Sequence, residues 1–104
     1  MTTLKPRVLI VDDKALTAHD LYPALSEIAD IETMTAYPPL EILAGRKAPD
    51  VVVADTRIGD EDGFEFCRRV KASSRTGHIP VAFLTGSGRS FTALKEEAMD
   101  AGAF

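Results

Sequence analysis

Pro49-Asp50-Val51-Val52-Val53-Ala54-Asp55-Thr56-Arg57-Ile58-Gly59-Asp60-Glu61-Asp62-Gly63 is the stretch that decides the fold. Val51 to Ala54 is a short apolar run rich in β-branched residues. Such side chains suit a pleated surface, and a run without alternation suits a strand covered on both faces. The run stops at a single carboxylate, Asp55. Gly59 and Asp62-Gly63 then mark a loop, and helical spacing begins at Phe64. A carboxylate at the C-terminal end of a buried parallel strand lies on the edge where open α/β sheets bind ligands. Taken singly, Asp55 could equally cap a turn.

Working outward, Arg7-Val8-Leu9-Ile10-Val11 reads as a second buried strand and ends on Asp12-Asp13. One acid there would favour the start of a following helix through the helix dipole. That does not explain why Asp55 repeats the arrangement on another strand. Val81-Ala82-Phe83-Leu84, entered through Ile79-Pro80, is a further strand, and proline is tolerated at a strand start. It ends on Thr85-Gly86-Ser87-Gly88, so a hydroxyl stands where the other two strands present acids. By itself Thr85 would be read as a turn or capping residue. Ile31 to Ala36, interrupted by Glu32, Thr33 and Thr35, is a weaker strand suited to a sheet edge.

Between the strands lie helices. Ala18, Leu21, Tyr22, Leu25 and Ile28 set one buried face of a helix over about 14–29, with a kink expected near His19 to Pro23. Pro38-Pro39 opens a short helix that Gly45 stops. Phe64, Phe66, Cys67 and Val70 face inward from a third, with Cys67 packed as a small hydrophobe. Arg68, Arg69, Lys71 and Arg75 form a basic cluster read as a solvated helix face. Phe91, Leu94, Ala98 and Ala101 line a fourth helix, capped by Gly102. The alternation of strand and helix predicts an α/β, doubly wound parallel sheet in which Asp12-Asp13, Asp55 and Thr85 meet on one edge.

The chain of 104 residues is sized for one domain, and its 45% hydrophobic content is that of a globular protein. A net charge of -4 argues against nucleic-acid binding by this segment. The single cysteine allows no internal disulfide and suits a reducing, cytoplasmic setting. No apolar run is long enough to span a bilayer as a helix.

Clustered carboxylates repel: at about 4 Å and an effective dielectric near 20, a pair costs roughly 4 kcal/mol. Either a cation relieves that or one acid takes up a proton, and an all-oxygen donor set favours Mg2+, which also accepts phosphate oxygens. A carboxylate beside Mg2+ can act as nucleophile in phosphoryl transfer and form an aspartyl phosphate. The Thr85 hydroxyl could donate to a phosphoryl oxygen.

With these features the sequence resembles the receiver domain of two-component response regulators, of the flavodoxin-like, CheY-like fold. The resemblance rests on Val8-Leu9-Ile10-Val11-Asp12-Asp13, on Asp55 with Asp62-Gly63 closing the loop, on His78-Ile79-Pro80-Val81-Ala82-Phe83-Leu84-Thr85-Gly86, and on Ala98-Met99-Asp100-Ala101-Gly102-Ala103. It implies strand order 2-1-3-4 and a phosphoryl group accepted on Asp55 from a histidine kinase or histidine phosphotransfer protein. It also implies Mg2+ held by Asp13, Asp55 and the backbone carbonyl of Arg57, with Asp12 acting partly through water. Thr85 would be the switch hydroxyl, biasing a surface that an output domain or effector reads. Arg57 and Ser87 occupy positions that vary in the family and would tune the phosphoryl lifetime. Such a domain is not an enzyme towards other molecules.

The sequence also departs from the family. Gly59 replaces a common proline, which is expected to loosen the loop, and Gly86 replaces a small alanine. The fifth strand, fifth helix, switch aromatic and lysine that the resemblance implies are absent from the 104 residues, so a fragment is expected. In it the Val81–Leu84 strand would offer an unpaired edge and invite self-association. Two other functions compete with phosphoacceptance. One is a phosphate-independent interaction module. The other is a Mg2+-dependent aspartyl phosphatase of the haloacid-dehalogenase type, which needs two acids separated by one intervening residue, whereas Asp12 and Asp13 are adjacent.

Overall fold

The computed structural model describes residues 5–13, 23, 25–45, 48–84 and 91–103. Along the chain run β1 (Arg7–Val11), β2 (Asp30–Met34), α1 (Leu40–Leu43), β3 (Val51–Asp55), β4 (Arg57–Ile58), β5 (Glu61–Asp62), α2 (Gly63–Ala72), β6 (Val81–Leu84) and α3 (Phe91–Asp100). The main sheet has the order β2-β1-β3-β6 and every pair in it is parallel. This is the expected 2-1-3-4 order, with β6 as the fourth sheet strand. Its register aligns Val11 with Ala54 and Asp55 with Leu84, so β1, β3 and β6 end at one level. At the opposite end Asp50 ties the strands together. Its carboxylate accepts the Arg7 N–H and its own N–H donates to the Arg7 carbonyl, both at 2.8 Å.

Pleating sends alternate residues of the apolar runs to opposite faces. Leu9, Val11, Val52 and Ala54 join Phe64, Phe66, Cys67 and Val70 of α2 in the larger core, with Leu43, Ile58, Ile79, Val81 and Ala101. Val8 and Ile10 point the other way and pack with Ala29, flanked by Leu25, Ile31, Val51 and Val53. Unbroken apolar strands are therefore buried on both sides. Each fully buried Val, Ile or Phe contributes about 1.5–3 kcal/mol relative to exposure. β2 lies at the sheet edge and exposes Glu32 and Thr33, as its mixed composition foretold. It begins at Asp30, one residue earlier than the expected Ile31–Ala36, and stops at Met34, two residues before the expected end.

Most of the expected first helix falls outside the described residues, as do His19 and the kink. Its end is described, and it differs from the periodicity. Ile28 is 65% exposed and Ala29 is the buried residue. Both Ile28 and Ala29 donate to the Leu25 carbonyl, at 3.0 and 2.9 Å. The helix closes into a turn there, and the residue four beyond Leu25, rather than three, faces the sheet.

α2 begins one residue before Phe64. Asp62 takes an extended conformation and its carboxylate accepts the Phe64 N–H at 2.9 Å, an N-cap worth about 1 kcal/mol. The basic cluster is not uniformly solvated. Arg68, Arg69 and Arg75 are exposed, but the Lys71 ammonium donates to the carbonyls of Ile79 (2.6 Å) and Gly77 (3.3 Å). The loop from α2 to β6 is pinned further by the buried Thr76 hydroxyl, which donates to the Val70 carbonyl at 2.7 Å. α3 ends as expected at Gly102, whose φ of 94° only glycine adopts readily. Gly102 N–H bonds to Met99 and Ala103 N–H to Ala98, the paired bonds of a Schellman ending.

The loop after Asp55 is a small antiparallel hairpin. β4 and β5 pair Arg57 with Asp62 and Ile58 with Glu61. Gly59, at φ 59°, takes the first turn position, where a positive φ suits a tight hairpin. Gly59, the residue that replaces the family's common proline, forms this turn.

Candidate functional site

Two strand ends build the site. Beyond β1 the chain continues in the ladder for one more bond, Asp12 N–H to the Met34 carbonyl at 2.9 Å. Asp12 is thereby held with its residue only 5% exposed, while Asp13 faces solvent. Asp55, the last residue of β3, is half-buried. One carboxylate oxygen from each of Asp12, Asp13 and Asp55 lies within 4.8 Å of the others. The convergence of the two acid-bearing strands is thus present in the structure. Thr85 and Ser87 lie outside the described residues.

At that separation each pair of charges repels by roughly 3 kcal/mol at an effective dielectric near 20. The donor set is all-oxygen, without histidine or cysteine, and so fits a hard divalent cation such as Mg2+. Among the described residues no other group of three such side chains comes this close.

The backbone beneath the acids is tightly held. Thr56 is buried, and its carbonyl accepts the Gly63 N–H at 2.8 Å. Arg57 follows with an exposed side chain on β4. Asp60, Glu61 and Asp62 are also exposed, so the hairpin that follows Asp55 carries further negative charge.

Tyr37 belongs to the site although the sequence reading passed over it. It lies after the edge strand β2 and stacks on Phe66, with ring centroids 4.9 Å apart at 25°. Its hydroxyl donates to the Asp55 main-chain carbonyl at 2.7 Å. Burial raises its pKa far above the ordinary tyrosine value, and the charges of Asp55, Asp62, Glu61 and Asp13 push the same way. The available signal was an aromatic with a polar tip between the edge strand and Pro38-Pro39, and buried tyrosines usually bond that tip.

The family model described as the response regulator receiver domain matches residues 8–104. The chain belongs to that family. The receiver domain is 32% identical over 101 residues to the response regulator PleD of Caulobacter vibrioides, covering 93% of this chain and 22% of PleD. It is 34% identical over 86 residues to the DNA-binding dual master transcriptional regulator RpaA of Synechocystis, covering 81% of this chain and 35% of RpaA. The chain therefore spans about a fifth to a third of the length of these curated relatives. Among solved structures, the receiver domain superposes on the chemotaxis response regulator CheY4 of Vibrio cholerae with a TM-score of 0.78 at 25% identity, covering 97% of this chain and 82% of CheY4. A flavodoxin-like receiver fold and a place in two-component signalling follow from these likenesses. No helix among the described residues is long and apolar enough to cross a membrane.

Proposed function

We propose that this receiver domain is a phosphoacceptor. An oxygen of Asp55 attacks the phosphorus of a phosphohistidine on a histidine kinase or histidine phosphotransfer protein. The P–O bond to Asp55 forms as the P–N bond breaks, and the departing imidazole takes up a proton. The observation that carries this reading is the approach of Asp12, Asp13 and Asp55 to within 4.8 Å at the C-terminal edge of the sheet. Asp12, Asp13, Asp55 and the backbone carbonyl of Arg57 would hold Mg2+, which when bound offsets charge on the phosphoryl oxygens. Asp13 and Asp55 would be direct ligands, and Asp12 would act partly through water.

The chain's own groups supply the rest. Asp55 is the nucleophile, and its half-buried position at a strand end keeps the carboxylate in fixed aim. Thr85 supplies the hydroxyl that turns toward the phosphoryl group and biases a surface for an output domain or effector. Arg57 and Ser87 modulate loss of the phosphoryl group to water. The receiver domain works in the cytoplasm and by itself acts on no other substrate.

Incubating the full-length protein with acetyl phosphate and Mg2+ tests this by intact mass. A single added phosphoryl group is expected, absent from Asp55→Asn. Equal labelling of Asp55→Asn would overturn the assignment.

A further inference from the structure

The excursion that leaves the edge strand touches both acid-bearing strand ends within four residues. The Met34 carbonyl accepts the Asp12 N–H at 2.9 Å, and the Tyr37 hydroxyl donates to the Asp55 carbonyl at 2.7 Å. Asp12 and Asp55 stand on adjacent strands, and Val11 pairs with Ala54 one residue below them. A single short segment thus spans the two halves of the acid cluster from the side of β2.

The Tyr37 contact leaves no slack. A Cβ on Gly63 would stand 2.5 Å from the Asp55 carbonyl oxygen, 2.7 Å from the Tyr37 hydroxyl and 3.0 Å from the Thr56 carbonyl oxygen. The start of α2, the tyrosine tip and the Asp55 carbonyl meet at one point, with room for glycine alone. The ring is set by its stack on Phe66, a fully buried residue of α2. The peptide after Asp55 is fixed from below by the Tyr37 hydroxyl, and the next one by the Gly63 N–H. These two peptides carry the chain from the Asp55 carboxylate to Arg57.

We propose that Tyr37 is a positioning residue for the acid cluster: its hydroxyl, bonded to the Asp55 carbonyl, sets where the Asp55 carboxylate stands relative to Asp12 and Asp13, and through that the affinity for Mg2+ and the rate of phosphoryl uptake. This rests on the phosphoacceptor reading of Asp55. Tyr37 touches neither phosphoryl donor nor cation and acts through the main chain. Groups that orient a metal's ligands matter nearly as much as the ligands themselves, because a misplaced oxygen is a weaker donor. A hydroxyl serving stability alone would lower the melting temperature when removed and leave binding unchanged.

Tyr37→Phe keeps the ring and its stack and deletes only the hydroxyl. In the full-length protein, calorimetric titration with Mg2+ should show a dissociation constant raised by about tenfold, the low end for loss of a ligand-orienting group. The rate of uptake from acetyl phosphate should fall several-fold at limiting Mg2+. Wild-type Mg2+ affinity and wild-type uptake in Tyr37→Phe, whatever its melting temperature, overturn the inference while leaving Asp55 as phosphoacceptor. A wild-type protein that neither binds Mg2+ nor takes up phosphoryl overturns the Asp55 reading and this inference with it. A second measurement needs no variant. With tyrosine rings carrying a 13C label, Mg2+ titration of the wild type should shift the Tyr37 resonance with the calorimetric dissociation constant, and an unmoved resonance counts against Tyr37.

Discussion

The thiol of Cys67 donates to the carbonyl of Ala101 at 3.3 Å, joining the middle of α2 to the residue that follows α3. Burial raises the Cys67 pKa above its ordinary value, and the nearby Lys71 and Arg68 cations pull down without cancelling it. The folded protein therefore holds this proton more tightly than the unfolded chain. That contribution is fully present below the unfolded thiol pKa of about 8.5 and is lost as pH rises through the folded value. Urea midpoints measured from neutral to alkaline pH should fall above that point in wild type. Cys67→Ala should be less stable at pH 7, by about 1–2 kcal/mol for the small cavity, and should lack this part of the alkaline fall. An identical slope in both proteins would remove Cys67 as its source.

Gly63→Ala is expected to destabilise the fold. Alanine favours a helix by about 1 kcal/mol over glycine. Here the added methyl collides with two backbone carbonyls and the Tyr37 hydroxyl. Overpacking of this kind costs about 1–3 kcal/mol, so the net change should be a loss, read as a lowered urea midpoint with unchanged slope. A gain in stability would mean that the Asp55–Thr56 backbone yields easily.

Removing one acid should separate repulsion from binding. Metal-free Asp13→Asn is expected to melt slightly higher than wild type, since one of three crowded charges is gone. Added Mg2+ should reverse the order. At a hundred times its dissociation constant a ligand stabilises by about 2.7 kcal/mol, and the variant should lose most of that. Thermal melts with Mg2+ and with chelator make the comparison. Equal Mg2+ stabilisation in the two proteins would place the cation elsewhere.

Arg57 is exposed on β4, two residues beyond Asp55, and its long cation can lie over phosphoryl oxygens and obstruct attacking water. Arg57→Ala should shorten the lifetime of the phosphorylated full-length protein a few-fold, on the order of 1 kcal/mol in barrier. Decay in Mg2+ is followed for wild type, Arg57→Ala and Ser87→Ala. A longer lifetime in Arg57→Ala would make Arg57 an aid to hydrolysis, and an unchanged one would leave it a surface residue.

The sheet was legible because Val8–Val11, Val51–Ala54 and Val81–Leu84 are apolar without alternation, and the first two meet a core on each face. The meeting of Asp12, Asp13 and Asp55 was legible for a related reason: parallel strands end together, so acids at their ends become neighbours. What escaped depends on paths between elements. Tyr37 reaches Asp55 across 18 residues through a bend that no periodicity describes. Lys71 looked like a solvated cation because its type says nothing of the carbonyls that the following loop would bring to it. The β4–β5 hairpin is too short and too polar to announce itself. Ile28 and Ala29 exchanged roles because a helical period loses its meaning at the last turn.

The hairpin tip and the hidden sulfur together make this domain easy to instrument. Cys67 is the only cysteine of the chain and is fully buried, so a maleimide finds no ready target in the folded receiver domain. Asp60 is exposed beside Gly59 at the tip of the hairpin that follows Asp55, and it is not one of the clustered acids. A dye attached through Asp60→Cys would sit on one defined atom of the hairpin that follows Asp55, with the interior left as it was.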